Sequence, residues 1–229
     1  MSDVTFKRGQ VEWALWRALT IGRGFADQPP AVFRTRIKRL LDLDRDNNAD
    51  EPAFAPHGEG QGVELQFTPF DVFCLGIGLD LLDIGFKQGE VVQLIRHLRP
   101  ELEGWLPHLL ARPSLIDRQN HLARQHPDLP TVERKGRAPL ADSRVFLVLG
   151  RIEATEALVE TEASGGEAAL LAPIFCAGLD RLREAILDLM PLRRRVAAVL
   201  EITAMAQAVD TFLAKAPTFA RGRPKRAGL

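Results

Sequence analysis

The stretch GVELQFTPFDVFCLGIGLDLLDIGFKQGEVVQLIRHLRPEL, residues 62–102, decides how the rest of the chain is interpreted. Residues 70–84 are almost all apolar or glycine, a pattern that predicts a helix buried on every side. Thr68 suits the cap of this helix, and Gly85 suits its end because glycine tolerates left-handed backbone geometry. The helix that follows Gly85 is amphipathic, with apolar residues every three or four positions. Its predicted inner face comprises Val91, Leu94, Ile95, Leu98 and Leu102.

This succession of elements resembles the MerR family of DNA-binding regulators. There a wing strand leads into a helix, and a glycine–aromatic corner leads into a shorter helix. The matching residues are Gly62, Phe67, Asp71, Leu75, Leu79, Leu82, Gly85, Phe86, Val91 and Ile95. The resemblance covers about the first 100 residues. It implies a winged helix-turn-helix domain that binds double-stranded DNA.

Two helices are predicted before this stretch, over residues 9–19 and 31–45. The first has an apolar face that includes Val11 and Leu15, and the second has one that includes Phe33 and Ile37. In the MerR-like interpretation they form the helix-turn-helix, whose second helix enters the major groove. The connection over residues 20–30 is longer than the usual turn of about 3–4 residues.

Basic residues cluster on the second helix, and arginine can bind guanine or phosphate with two hydrogen bonds. An ordinary solvated basic face is the alternative. Three aspartates, Asp42, Asp44 and Asp46, come after the first four basic residues and would repel phosphate unless they face away or pair with the basic side chains. We predict that the first four basic residues contribute most of the N-terminal contact with DNA. The cluster comprises Arg34, Arg36, Lys38, Arg39 and Arg45.

A hairpin wing is predicted between the second and third helices. Residues 53–55 and 63–67 suit two short strands, and Gly58 and Gly60 suit the tip between them. The wing offers DNA acidic side chains, with His57 as its one candidate cation.

The second half of the chain begins after a proline-rich linker, residues 112–142. Residues 144–150 predict a strand, which forms a long hairpin with the apolar run 168–176; a strand–helix arrangement is the alternative. An amphipathic helix is predicted from Leu179, and a last helix over residues 193–215. The last helix has a seam typical either of a core-facing helix or of a dimer coil. The seam residues are Val199, Ile202, Ala206, Val209 and Leu213.

The C-terminal tail, residues 216–229, is basic and is expected to be disordered. Its Arg-Gly-Arg-Pro string resembles the core of an AT-hook, which implies contact with the minor groove of A·T-rich DNA. A solubilising basic end is the alternative. The basic residues of the tail are Arg221, Arg223, Lys225 and Arg226.

Composition limits the possible functions. The 229 residues carry 30 basic and 30 acidic side chains, so any basic surface must be local. Two distant cysteines suggest reduced thiols and a cytoplasmic address. No apolar run reaches the ~18 residues of a membrane span, so no membrane role is expected. Neither an activated nucleophile nor a metal-ligand spacing is recognisable, so we expect no enzyme, cofactor or metal site.

These observations predict a mainly α protein with small β parts, an α+β class. The predicted divisions are a winged helix-turn-helix domain (1–111), the linker (112–142), a dimerisation or sensing domain (143–215) and the tail (216–229). We expect a DNA-binding transcriptional regulator that forms a homodimer and whose effector the sequence does not identify. The alternative is a winged-helix protein-interaction module without specific DNA binding, because winged helices serve both roles.

Overall fold

A computed structural model of the chain shows a mostly helical protein with small antiparallel sheets, which confirms the α+β class. It describes residues 4–20, 28–47, 51–56, 65–112, 143–151, 158–160, 168–170, 173–189 and 196–218. The N-terminal elements are β1 (Phe6–Lys7), α1 (Arg8–Leu19), α2 (Ala31–Asn47), β2 (Gln66–Phe67), α3 (Pro69–Asp83) and α4 (Gln88–Leu110). The C-terminal elements are β3 (Val145–Arg151), β4 (Leu158–Glu160), β5 (Ala168–Leu170), β6 (Ile174–Ala177), α5 (Leu179–Leu189), β7 (Val196–Glu201) and α6 (Ile202–Leu213).

Helix α3 lies at the centre of the molecule, in contact with α1, α2, α4 and α6. The Thr68 side chain caps it by accepting a hydrogen bond from the Asp71 backbone, as predicted. Two of its glycines allow close packing. A Cβ on Gly76 would lie 2.9 Å from Sδ of Met205 in α6, and one on Gly78 would lie 3.1 Å from the Phe54 ring. Helix α3 therefore has no polar face because other parts of the protein pack against it on all sides.

Helix α4 corrects a sequence-based prediction. Prolines normally end helices, so Pro100 predicts that the helix after Gly85 stops and that residues 103–111 form a separate short helix. Instead one 23-residue helix continues through Pro100 and Pro107. Its inner face stays buried along the whole length, against α3 and α6, and this packing outweighs the lost backbone hydrogen bonds.

The C-terminal strands confirm the predicted hairpin pairing. Strand β3 pairs antiparallel with β6, with Val145 opposite Ala177, and β4 pairs antiparallel with β5. The sequence also predicts a turn at Gly165 and Gly166 in this hairpin, and these two residues lie outside the described part of the chain. The β6-β3-β7 sheet has α5 on one face, against β6 and β3, and α6 on the other.

The predicted last helix, residues 193–215, is wrong in its first part. Residues 196–201 form β7, which pairs with β3, and α6 begins only at Ile202. The Glu201 carboxylate caps α6 by accepting hydrogen bonds from the backbone of Thr203 and Ala204. Val199 therefore lies on a strand and is 43% exposed, while Val209 is buried. The other seam residues pack inside the chain, so the core-facing alternative is the observed one.

Helix α6 gives both halves of the chain a common hydrophobic core. It contacts α1, α3 and α4, and the same buried cluster includes Leu15 and Leu98 together with Leu147. The two ends of the 113–142 segment also meet, because the Arg112 guanidinium donates a 2.9 Å hydrogen bond to the Ser143 carbonyl. Most of the predicted linker lies outside the described residues. The core thus continues across the predicted linker from one half to the other.

The predicted wing hairpin is also wrong in its pairing. Strand β2 pairs antiparallel with β1, with Phe6 opposite Phe67, and not with residues 53–55. Those residues form a buried bend whose backbone is held by side chains instead of a strand partner. The predicted tip lies in residues 57–64, outside the described part.

Two buried aspartates and two arginines of α4 hold this bend. The Asp44 carboxylate of α2 accepts hydrogen bonds from the backbone of Ala53 and Phe54, at 2.9–3.1 Å. It also accepts one from Arg96 at 2.9 Å. Arg99, one turn further along α4, donates to the Ala53 carbonyl at 2.9 Å and pairs with Asp71 of α3. The network fixes α2 and α3 to α4, and so sets which face of α2 points outward.

Removing Asp44 should destabilise the protein strongly. We expect Asp44→Ala to lower the free energy of unfolding by about 3–5 kcal/mol, because it leaves the Arg96 charge without its buried partner. Asp42→Ala, two positions away and partly exposed, should change it by less than about 1 kcal/mol. Urea unfolding of both variants measures the difference. Equal effects would contradict the role given to Asp44.

Candidate nucleic-acid interface

The candidate interface is the outward face of α2. Phe33, Ile37 and Leu40 turn its other face into the core, where Phe33 meets Trp16 of α1 edge to face at 5.2 Å between ring centroids. This burial follows from apolar residues at helical spacing. The exposed residues of the first half of α2 are Ala31, Val32, Arg34, Thr35, Lys38 and Arg39.

Two of the predicted DNA contacts are engaged with the protein itself. Arg34 donates to the Pro29 carbonyl at 3.1 Å, and its Nε lies 4.0 Å from a carboxylate oxygen of Glu12. Arg36 forms a 2.5 Å ion pair with Asp83 at the end of α3. Arg36 therefore joins α2 to α3, and its charge is partly neutralised.

Arg45 is engaged as well, at the other end of the helix. Its guanidinium lies 3.7 Å from Asp42 and 3.3 Å from Asp46. Lys38 and Arg39 are exposed as well. Unlike Arg45, neither forms an ion pair within the described part of the chain. The structure thus places all five predicted residues on α2, and within the described part of the chain Lys38 and Arg39 are the two that form no ion pair.

The four predicted tail residues belong to 219–229 and lie outside the described residues. They are Arg221, Arg223, Lys225 and Arg226. The structure therefore does not place them beside α2.

The sequence-based prediction missed several residues that shape the interface. Asp44 was treated as one of three phosphate-repelling acids, but it is buried and paired with Arg96. Its spacing of three and four residues from Leu41 and Leu40 places it on the apolar face, which was a usable signal. No comparable signal marked Arg36 as a partner of Asp83, because the two are 47 residues apart.

Asp80 and Asp83 bring negative charge to the same end of α3. Burial, and to a lesser extent the nearby Asp83 carboxylate, raises the pKa of Asp80 to about 6. Since Arg36 binds Asp83, the α2–α3 contact lies beside a carboxyl group that titrates near neutral pH.

Other chemistry is limited in the described residues. Burial raises the pKa of both the Cys74 and the Cys176 thiol, which opposes thiolate formation. Within these residues no group of three or more His, Cys, Asp or Glu side chains is arranged to hold a metal ion. No helix among them is long and apolar enough to cross a bilayer.

Comparison with protein-family models, with curated proteins and with solved structures finds no match.

Replacing Asp80 by the neutral Asn should stabilise the protein in a pH-dependent way. The raised pKa means that the folded state binds a proton more tightly than the unfolded state, so this group's contribution to stability falls as pH rises from about 4 to 6. We expect Asp80→Asn to raise the free energy of unfolding by about 1–3 kcal/mol at pH 7 and by much less at pH 4. Urea unfolding at both pH values measures this. The same gain at both would contradict the assignment.

Proposed function

We propose that the protein is a DNA-binding transcriptional regulator that places α2 in the major groove of double-stranded DNA. The observation that carries the proposal is the outward position of Lys38 and Arg39 on α2, exposed and without an acidic partner among the described residues. A lysine or arginine so placed can neutralise phosphate or donate to base edges. Because the whole chain has no net charge, this local cluster provides the attraction.

The arrangement of the N-terminal elements supports the proposal. Strand β2 leads directly into α3, and the Gly85–Phe86 corner leads into α4, as the MerR resemblance implies. Gly85 has a φ of 95°, a left-handed conformation that glycine adopts without strain. Helices α1 and α2 precede these elements and contact each other.

The described contacts shift the proposed interface along α2. Arg34 and Arg36 were predicted to share the binding with Lys38 and Arg39, but their contacts with Pro29 and Asp83 make them positioning residues. The acids Asp42 and Asp46 lie in the second half and pair with Arg45. DNA is therefore proposed to approach the first half of α2, around Lys38 and Arg39.

Substituting both outward cations should weaken DNA binding and its salt dependence. We expect Lys38→Gln/Arg39→Gln to reduce the slope of log affinity against log salt concentration by about 2, one for each lost phosphate contact. Neither residue is buried, so the fold should remain intact. Fluorescence anisotropy with labelled duplex DNA at several salt concentrations measures the slope.

The matched control is Arg181→Gln/Arg183→Gln. It removes the same charge from exposed positions on α5, far along the chain from α2. Equal losses in the two double variants would show a general charge effect and would contradict an interface on α2. No DNA binding by the unsubstituted protein at low salt would instead favour the protein-interaction module.

The proposal includes a homodimer, because the family that the chain resembles reads paired half-sites. Its contact cannot be the predicted helical seam, since Val209 is buried within the chain. We propose the exposed apolar side chains of α5 and β7 instead, which are Leu179, Ile186, Leu187 and Val199. A single-chain mass in light scattering at micromolar concentration would exclude the dimer.

The basic tail is proposed as an additional minor-groove contact. A·T tracts narrow the minor groove and draw arginine into it. Deleting residues 217–229 should therefore reduce affinity for A·T-flanked sites more than for G·C-flanked sites. Competition binding with the two kinds of flank measures this, and an equal loss on both would leave only a non-specific basic tail.

A further inference from the structure

The outermost surface of the first turns of α2 is apolar, although the helix as a whole is highly charged. Val32 is 74% exposed, more than any other large hydrophobic residue in the described chain. Ala31 and Thr35 lie beside it and are exposed too. Removing such a side chain from water is favourable, so a ligand with apolar groups of its own would be stabilised by covering this surface.

Thr35 adds a second methyl group to the same surface. Its hydroxyl donates a 2.9 Å hydrogen bond to the Ala31 carbonyl one turn earlier. The hydroxyl is thus satisfied within the helix, and the methyl group remains for contact with a partner. Residues three apart on a helix have their Cβ atoms about 5–6 Å apart, so Val32 and Thr35 form one continuous apolar patch.

We propose that this patch reads thymine in the major groove, with the Val32 and Thr35 methyl groups packed against thymine C5-methyl groups. The inference rests on the proposed function, and it assigns the base-reading side chains of the same site. Thymine is the one base that presents an apolar group in the major groove, so an apolar reader favours it. Lys38 and Arg39 are then left for phosphates or for guanine.

Charge favours DNA as the occupant of this surface. Arg39 lies about two turns after Val32 and about one turn after Thr35 on the same exposed side of α2, and the exposed Lys38 precedes it. An apolar patch beside cations is complementary to base edges flanked by phosphates. The Cβ atoms of the two side chains are about 5–6 Å apart, which lies between one and two base-pair steps of about 3.4 Å, so the two side chains face different base pairs in the proposed complex.

Replacing thymine by uracil in a bound site tests the inference, since uracil lacks only the C5-methyl group. The probe is a duplex recovered from a random-sequence pool by repeated selection on the protein, remade with single thymine-to-uracil changes. We expect about a fourfold loss of affinity at each contacted thymine, the equivalent of one unburied methyl group. Anisotropy titration of each duplex measures the loss.

Two variants assign the effect to the two side chains. Val32→Ala and Thr35→Ser should bind the thymine duplex more weakly, and each should no longer distinguish uracil at its own position. Thr35→Ser keeps the hydroxyl that bonds to Ala31 and removes only the methyl group. Leu110→Ala, which shortens an exposed apolar residue in the last turn of α4, is the control and should discriminate as the unsubstituted protein does.

The possible results distinguish a failure of the thymine-contact inference from a failure of the proposed DNA-binding function. Salt-dependent binding without any loss on uracil would overturn the inference and leave the proposed function standing. Discrimination that survives unchanged in both Val32→Ala and Thr35→Ser would overturn it too, because other groups would then read the methyl. No binding of any duplex from the pool at low salt would overturn both proposals.

Discussion

The ion pair between Asp44 and Arg96 is the constraint on which the position of α2 depends. The Asp44 carboxylate is almost inaccessible to water, and the Arg96 side chain is only partly exposed; a buried charge is tolerated only when it is paired and hydrogen-bonded. The Asp44 carboxylate meets this condition by binding Arg96 and two backbone N–H groups of the 53–55 bend. A rotation of α2 about its axis would break all these bonds together, so the network holds one face of α2 inward and the opposite face in solvent.

Elements with a strong pattern of their own could be predicted from the sequence. The bounds of α1, α2 and α3 were expected to within one or two residues, since apolar spacing and caps are local signals. The same signals gave a wrong prediction for residues 196–201. Their valines and alanines continue the helical spacing of α6, but the residues form a strand because they pair with β3. The bend at 53–55 likewise depends on Asp44 and Arg99, which are far away in sequence.

The candidate site was predictable only as a cluster of basic residues. Acidic residues in other elements determine which of these basic residues are paired. Asp83 of α3 pairs with Arg36, and Glu12 of α1 lies near Arg34. No pattern within α2 contains that information. Val32 was not predicted as a site residue. A valine next to Phe33 is expected on the apolar face of α2, and only the orientation of the helix in the fold shows that it is exposed.

The contact between Arg112 and Ser143 changes how the segment between them should be understood. Because α4 and β3 already belong to one core, residues 113–142 connect two points that the fold itself holds together. Lengthening such a connection costs little, about 0.6 kcal/mol for each doubling, since only closure entropy changes. A break in the chain there would leave two fragments whose interface is the interior of the protein. In that sense the two halves are complementary pieces of one folding unit, and the region between them is open to insertion in evolution.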